Sequence, residues 1–252
     1  MNNLIVSPTA LAFAVILVLI ALAVNFKEHI GLEKDMLIGV VRAVIQLTVV
    51  GYVLTYIIRV DRVWLTLLMV AIIIFNAALN ARKRAAGIPH AFVISLLAIS
   101  VATLTTIVLL VVAHAVKFTP SQIVPISGMI ASNAMVAIGL CYRSLNASFH
   151  DQRQGLLERL ALGADLKQAT MPIVRVAIKT GMAPTIDSAK TVGLVSLPGM
   201  MSGLIFAGID PTKAIMYQIM VTFMLLAATS ISSVIACYRA YPQFYNEDLQ
   251  LR

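Results

Sequence analysis

Seven stretches of the chain are continuously apolar, at roughly 7–25, 37–58, 63–80, 91–116, 121–141, 191–209 and 213–238. Each comes close to the roughly 20 residues that a helix needs to cross a hydrocarbon core of about 30 Å. The apolarity is unbroken rather than alternating, which argues against a β-barrel, and a helix satisfies its own backbone hydrogen bonds in lipid. The pattern therefore predicts an all-α, polytopic membrane protein with about seven transmembrane helices. A long polar insert, 142–190, separates the fifth run from the sixth. The 252 residues read as one transmembrane domain, 1–252, with 60% apolar and only 12% charged residues, far from the usage of a soluble domain.

Charge gives the orientation, because cytoplasmic loops retain Lys and Arg. Only Arg59, Arg62, Lys117 and Lys213 fall on one side of the predicted spans; apart from Arg42, which lies within a span, the others fall on the opposite side. This predicts the N-terminus outside, the C-terminus inside and the insert in the cytoplasm. The net charge of +8 is then explained by topology and lipid headgroups, with no nucleic acid partner. No Lys or Arg precedes the first run and no small-x-small site clearly follows it, so it reads as a retained helix. Cys141 and Cys237 fall at predicted cytoplasmic helix ends, where thiols stay reduced. They read as two small interfacial residues, with a thiolate metal pair as the alternative.

Within the insert, 143–162 has helical composition and extends the fifth span, and Gly163 breaks it. Asp165 followed by Gln168 is a capping-box pattern that starts a new helix at Leu166. Pro172 cannot continue that helix by hydrogen bonding but can open the next. The expectation is a helix of one or two turns held crosswise, followed by a stretch lying flat on the membrane with Arg175 and Lys179 on one face. On the pattern alone, an ordinary loop is the favoured reading.

The passage Glu158 to Asp165, with Gln168, Ala169 and Pro172 beyond it, resembles the coupling-helix signature of ABC transporter permeases, although Glu158 stands one residue nearer the glycine and the paired alanines are absent. The span layout, the insert, the run from Gly193 to Pro211 and the string Tyr217 to Met224 resemble the FetB family of iron-export permeases. The resemblance implies a homodimer in a bacterial inner membrane, working with two copies of an ATP-binding subunit that carries ATP and Mg. It also implies iron as cargo and export as direction, with a nucleotide sugar or another metal as alternative substrates. In that setting Gly163 is the permitted bend and Asp165 the cap, while Leu162, Ala164, Leu166 and Ala169 supply contact surface for the ATPase. The chain has no Gly-x-x-x-x-Gly-Lys-Ser/Thr run and therefore no P-loop of its own, so no cofactor is expected in it and hydrolysis belongs to another polypeptide.

Candidate helix-packing or gating residues lie in the sixth run, where Gly199, Gly203 and Ala207 form a small-residue stripe after Pro198. Polar groups at membrane depth face a cavity or another helix, which singles out Gln46, Asn76 and Asn133 as either interhelical glue or substrate contacts. Met200, Met201, Met216, Met220 and Met224 are either adaptable packing or transient metal contacts. Asp210 before Pro211 is either an exit contact or a turn carboxylate. A secondary transporter needs buried carboxylates, and no acidic residue falls within a predicted span. A membrane enzyme needs clustered catalytic groups, and no His-Glu-x-x-His or Gly-x-Ser-x-Gly run occurs. The resemblance, beside these exclusions, therefore implies the transmembrane subunit of an ABC exporter with a metal cation as cargo. An ion-coupled secondary metal transporter is the competing class.

Overall fold

The computed structural model describes residues 8–246 and 250–251. Among them the chain forms α1 (Pro8–Lys27), α2 (Glu33–Val60), α3 (Val63–Lys83), α4 (Ala91–Val112), α5 (Pro120–Asp151), α6 (Arg153–Ala161), α7 (Leu166–Thr191), α8 (Gly199–Phe206) and α9 (Pro211–Ala240), followed by a 3₁₀ turn, Tyr241–Phe244. Six helices, α1 to α5 and α9, are long and apolar enough to cross a membrane. The only β pairing among the described residues consists of isolated bridges. The protein is a polytopic helical membrane protein.

α5 and α9 are central, packed on each other and contacted by α3, α4 and α7, whereas the apolar windows of α1 and α2 bury none of their residues. One end of the bundle is pinned by polar contacts. Tyr142 Oη lies 2.9 Å from Ser95 Oγ and donates to Ala91 O at 3.4 Å, joining α5 to the start of α4. Asn146 Nδ2 donates to Ala85 O at 2.8 Å. At the same end Phe149 of α5 stacks on Phe244 with ring centroids 4.0 Å apart.

These contacts show that α5 and α9 run parallel, since Met129 and Asn133, in the first half of α5, share a cavity with Gln218, Val221 and Leu225 in the first half of α9. A chain that leaves α5 and re-enters at the start of α9 must return across the bundle. That return is made by α7, a loop at 192–198 and α8. α7 lies antiparallel between α5 and α9: its root is tied at Thr170, 2.8 Å from Tyr245 Oη, and its far end reaches the Asn133 cavity.

This return departs from the sequence reading in three ways. The run 191–209 is not one continuous helix; α7 ends at Thr191, and α8 has only eight residues. Gly193 takes φ +84°, Thr191 O receives the N–H groups of Leu194, Val195 and Ser196, and Pro198 is extended, so the helix cannot pass through. Secondly, the helix beginning at Leu166 does not stop after one or two turns; it continues for 26 residues with Pro172 and Pro184 inside it. Each proline leaves one carbonyl without its helical donor. The helix persists because Ala169, Thr170, Ile173, Val174, Ala177 and Gly181 form one buried face against its neighbours. Finally, the stretch after Pro172 does not lie flat, and the polar insert therefore includes a helix that climbs back along the bundle.

Candidate functional site: a capped turn joined by α7 to a mid-bundle cavity

The turn between α6 and α7 is built by backbone rules. Gly163 N–H donates to Leu160 O at 3.0 Å and Ala164 N–H to Arg159 O at 3.1 Å, the paired bonds of a Schellman ending, with Gly163 at φ +90°. Asp165, in extended conformation, then caps α7 by accepting from Gln168 N at 2.6 Å. Arg159 Nη1 donates to Ala169 O at 3.1 Å and locks α6 to the root of α7. Gln154 Nε2 donates to Glu158 Oε1 at 3.1 Å along α6.

The residues expected to present a contact surface here divide into two groups. Leu162 projects from the tip with 88% of its surface exposed. Ala164 and Leu166 are half-buried against the core, and Ala169 is 1% exposed, so Ala169 belongs to the internal face of α7 and not to the outer surface of the turn. Pro172 is exposed on the opposite face from Ile173 and Val174.

From this turn α7 runs to a cavity of about 230 Å³ at the break before α8. Asn133 and Met129 of α5, Thr185 and Ser188 of α7, Met200 of α8, and Gln218 and Thr222 of α9 bring polar or thioether groups to its wall. Asn133 Nδ2 donates to Met129 O at 2.8 Å. The Thr222 hydroxyl proton is likewise used on Gln218 O, 2.9 Å away. Gln218 Oε1 is buried with no hydrogen-bond partner. One amide hydrogen of Asn133 and the Thr222 hydroxyl are thus committed to their own helices, while the Gln218 side chain and the Thr185 and Ser188 hydroxyls bring both donors and acceptors to the wall. The C-terminal turn of α7, with the partial negative charge of a helix C-terminus, adds to the same wall through Ser188, Ala189 and Val192. Gly199, at the start of the much shorter α8, contributes the opposite end of a helix. No Asp, Glu, Lys or Arg lines the cavity.

The other sequence-selected residues lie elsewhere. Gln46 is exposed on α2, and Asn76 is exposed on α3 with its amide on Ile72 O at 2.9 Å. Met216, Met220 and Met224 line an apolar groove between α4 and α9. Met201 lines a neighbouring hollow with Leu197 and Phe223. Asp210 is a helix cap: Thr212 N donates to it at 2.9 Å, and the Thr212 hydroxyl, which also bonds it, holds its carboxyl below the usual carboxylate range. Gly199 and Gly203 of the stripe that ends at Ala207 meet no close neighbour in the chain, since a Cβ built on either glycine has nothing within 4 Å. Close approach occurs instead at Gly181, where a Cβ collides with Cys141 Sγ and lies 2.8 Å from Ala137 O. Cys141 and Cys237 are free, buried thiols. No group of three or more His, Cys, Asp or Glu among the described residues is arranged to hold a metal.

Gln218, Thr185, Ser188 and Thr222 were not singled out from the sequence. Gln218 was accessible to the argument that selected Asn133, being an amide within an apolar run. Thr185 and Ser188 were not, because the polar insert gave no sign that its last turns enter the bundle.

The family UPF0014, described as an uncharacterised protein family, matches residues 8–245. The chain belongs to UPF0014. Among UPF0014 relatives, Probable iron export permease protein FetB of Escherichia coli (strain K12) is 54% identical over 100% of this chain and 97% of its own length. The rice (Oryza sativa subsp. japonica) UPF0014 membrane protein STAR2 is 38% identical over 94% of this chain and 84% of its own. Protein ALUMINUM SENSITIVE 3 of Arabidopsis thaliana is 35% identical over 96% and 88%, respectively. No solved structure matches the chain.

Proposed function

We propose that this chain is the membrane subunit of an ATP-driven exporter of a metal cation, with iron as the first candidate. It works in a bacterial inner membrane as a homodimer with two copies of a separate ATP-binding subunit. The observation that carries the reading is the continuity of α7 from a capped, projecting turn to an uncharged, polar-walled cavity. A partner that moves the turn acts on the cavity through one helix, which suits rigid-body coupling. The exposed Leu162 at the tip offers an apolar anchor for such a partner.

The cavity supports a small cationic cargo. A metal ion with six waters fills about 180 Å³ at roughly 30 Å³ per water, and metal-bound water donates hydrogen bonds to neutral acceptors. The volume of about 230 Å³ accommodates that ion. It falls below the roughly 300–1,000 Å³ of pockets that enclose drug-sized ligands, which weighs against a nucleotide sugar. Neutral oxygen donors hold a hydrated ion weakly, as a transit site requires. The name of the Escherichia coli relative supplies iron and the direction of movement.

A secondary transporter gains one observation. No acidic residue falls within the apolar runs, but α7 carries Asp187 of the polar insert to the level of the cavity. The deciding experiment is uptake of Fe²⁺, Mn²⁺, Cu⁺ and Zn²⁺ into inverted vesicles containing this chain with its co-purifying ATPase. ATP-dependent uptake, abolished by inactivating the ATPase, is the expected result. Uptake driven by a proton gradient without ATP establishes the secondary transporter instead.

A further inference from the structure

We infer that α2 closes on α3 of the same chain as an antiparallel hairpin, with Gln46 meeting Asn76 and Arg42 meeting Asn80 at membrane depth. This pairing holds whatever the cargo or the energy source.

The two helices are joined only by Asp61 and Arg62. A connection this short ordinarily folds two helices back on each other as an αα-hairpin. Here α2 instead packs on α1 and α5 without an extended contact on α3, and Ile57, next to the turn, is its one buried residue. Asp61 takes the left-handed conformation at φ 45° and ψ 48°, and Arg62 is extended. These two residues set the angle between the helices, and rotation at them swings α2 as a rigid arm.

The polar positions of the two helices match across the turn. At 1.5 Å per residue, Gln46 lies roughly 21 Å from the end of α2 at Val60, and Asn76 roughly 20 Å from the start of α3 at Val63. Arg42 and Asn80 lie roughly 27 and 26 Å from the same ends. Each pair therefore falls on one level of an antiparallel hairpin, to within the rise of a single residue. The faces match as well. Arg42, Gln46 and Val50 recur at intervals of four on the side of α2 that carries Ile57. On α3, Ile72, Asn76 and Asn80 recur in the same way, on the side opposite the buried Val70, Ile74 and Ala81.

Closure also completes the hydrogen bonding. Asn76 and Asn80 each use one amide hydrogen on their own helix, on Ile72 O and Asn76 O, both at 2.9 Å. Their side-chain carbonyls remain as acceptors. Among the described residues, neither the Gln46 amide nor the Arg42 guanidinium has a hydrogen-bond or ion-pair partner. Gln46 offers both donors and an acceptor, and Arg42 only donors. Acyl chains offer neither, and a level roughly 20 Å from the turn is well inside a hydrocarbon core of about 30 Å, so polar groups there face another helix or a cavity. A second copy would have to reproduce two levels that the short turn already matches within one chain.

The test places cysteine pairs in the full chain in native membranes, Gln46→Cys with Asn76→Cys and Arg42→Cys with Asn80→Cys, oxidised by copper phenanthroline. Val44→Cys, at an exposed position on the opposite side of α2, is the control with either α3 cysteine. Trypsin cuts the denatured chain after Arg59 and Arg62, between the two helices. A disulfide within one chain therefore holds two tryptic segments together until reductant is added, whereas a disulfide between chains appears as covalent dimer. Disulfide within one chain is expected at both matched pairs, at least fivefold above the Val44 controls. Yields equal to the controls overturn the inference, as does disulfide formed only between chains, which would give this face of α2 to a second copy. A further measurement needs no cysteine. The losses of melting temperature in Gln46→Ala and Asn76→Ala are expected to be non-additive, with the double variant melting no lower than the less stable single one. Additive losses overturn the pairing.

Discussion

Gly181 of α7 rests directly on the Sγ of Cys141 in α5, with Ala137 O and Ser233 Oγ closing the space on either side. No other residue type fits there, because a Cβ meets the sulfur and lies 2.8 Å from a backbone carbonyl that cannot move alone. Gly181 is therefore a point of close approach between α7 and α5, between the capped turn and the cavity.

Gly181→Val is expected to destabilise the protein by about 1–3 kcal/mol, the usual cost of overpacking a tight core. The milder Gly181→Ala should be partly rescued by Cys141→Ala, which removes the sulfur but leaves Ala137 O in place. Thermal unfolding in detergent, followed by size-exclusion of the remaining monodisperse fraction, checks both. An equal loss in single and double variants refutes the contact.

The turn makes a separable prediction. Gly163→Pro imposes φ near −65° where the chain needs +90°, and Asp165→Arg removes the acceptor for Gln168 N. Loss of an N-cap costs roughly 0.5–2 kcal/mol, small enough for insertion to survive. Stimulation of the partner ATPase by metal is expected to fall while membrane insertion is retained. Leu162→Asp, at an exposed tip, should leave thermal stability unchanged and weaken co-purification of the ATPase. Normal co-purification of that variant removes Leu162 from the docking surface.

The parts of this molecule legible in its sequence are those set by short-range physics. Six crossing helices follow from apolar runs, the break at Gly163 from its backbone freedom, and the cap at Asp165 from its spacing to Gln168. The return crossing was misplaced because it contradicts local rules. α7 is too polar to read as membrane-embedded, and Pro172 and Pro184 argue against a continuous helix. Contacts on α5 and α9 override both. Asn133 and Met200, read by type alone as either packing or substrate contacts, lie in the cavity wall, whereas Gln46 and Asn76, selected by the same reasoning, are exposed on α2 and α3. Nothing in the local pattern distinguishes these cases, because the difference lies in which helices pack together.

Gln218 separates function from stability. Its Oε1 is buried without a partner, and an unsatisfied buried acceptor costs about 1–3 kcal/mol. Gln218→Leu should therefore be neutral or stabilising in thermal unfolding while raising the KM for metal uptake in inverted vesicles. An unchanged KM would take Gln218 out of the cargo site, and a fall in stability would show that its oxygen is satisfied in the assembled transporter.

The root of α7 offers a pH-dependent test. The Thr170 hydroxyl donates to Leu166 O at 2.7 Å, so Tyr245 O–H is the donor across the 2.8 Å contact between the two hydroxyls. Burial pushes the Tyr245 phenol above its ordinary value, favouring the neutral form in the folded state. Its contribution is complete below the unfolded pKa of about 10 and is lost as pH rises through the raised folded pKa. Tyr245→Phe removes the bond and should cost about 1 kcal/mol at neutral pH, leaving the Phe149 contact with the ring intact. The wild-type protein should lose its advantage over Tyr245→Phe on titration above pH 10, measured as converging melting temperatures. A constant difference across that range would place the stabilising effect of Tyr245 in its ring and not in its hydroxyl.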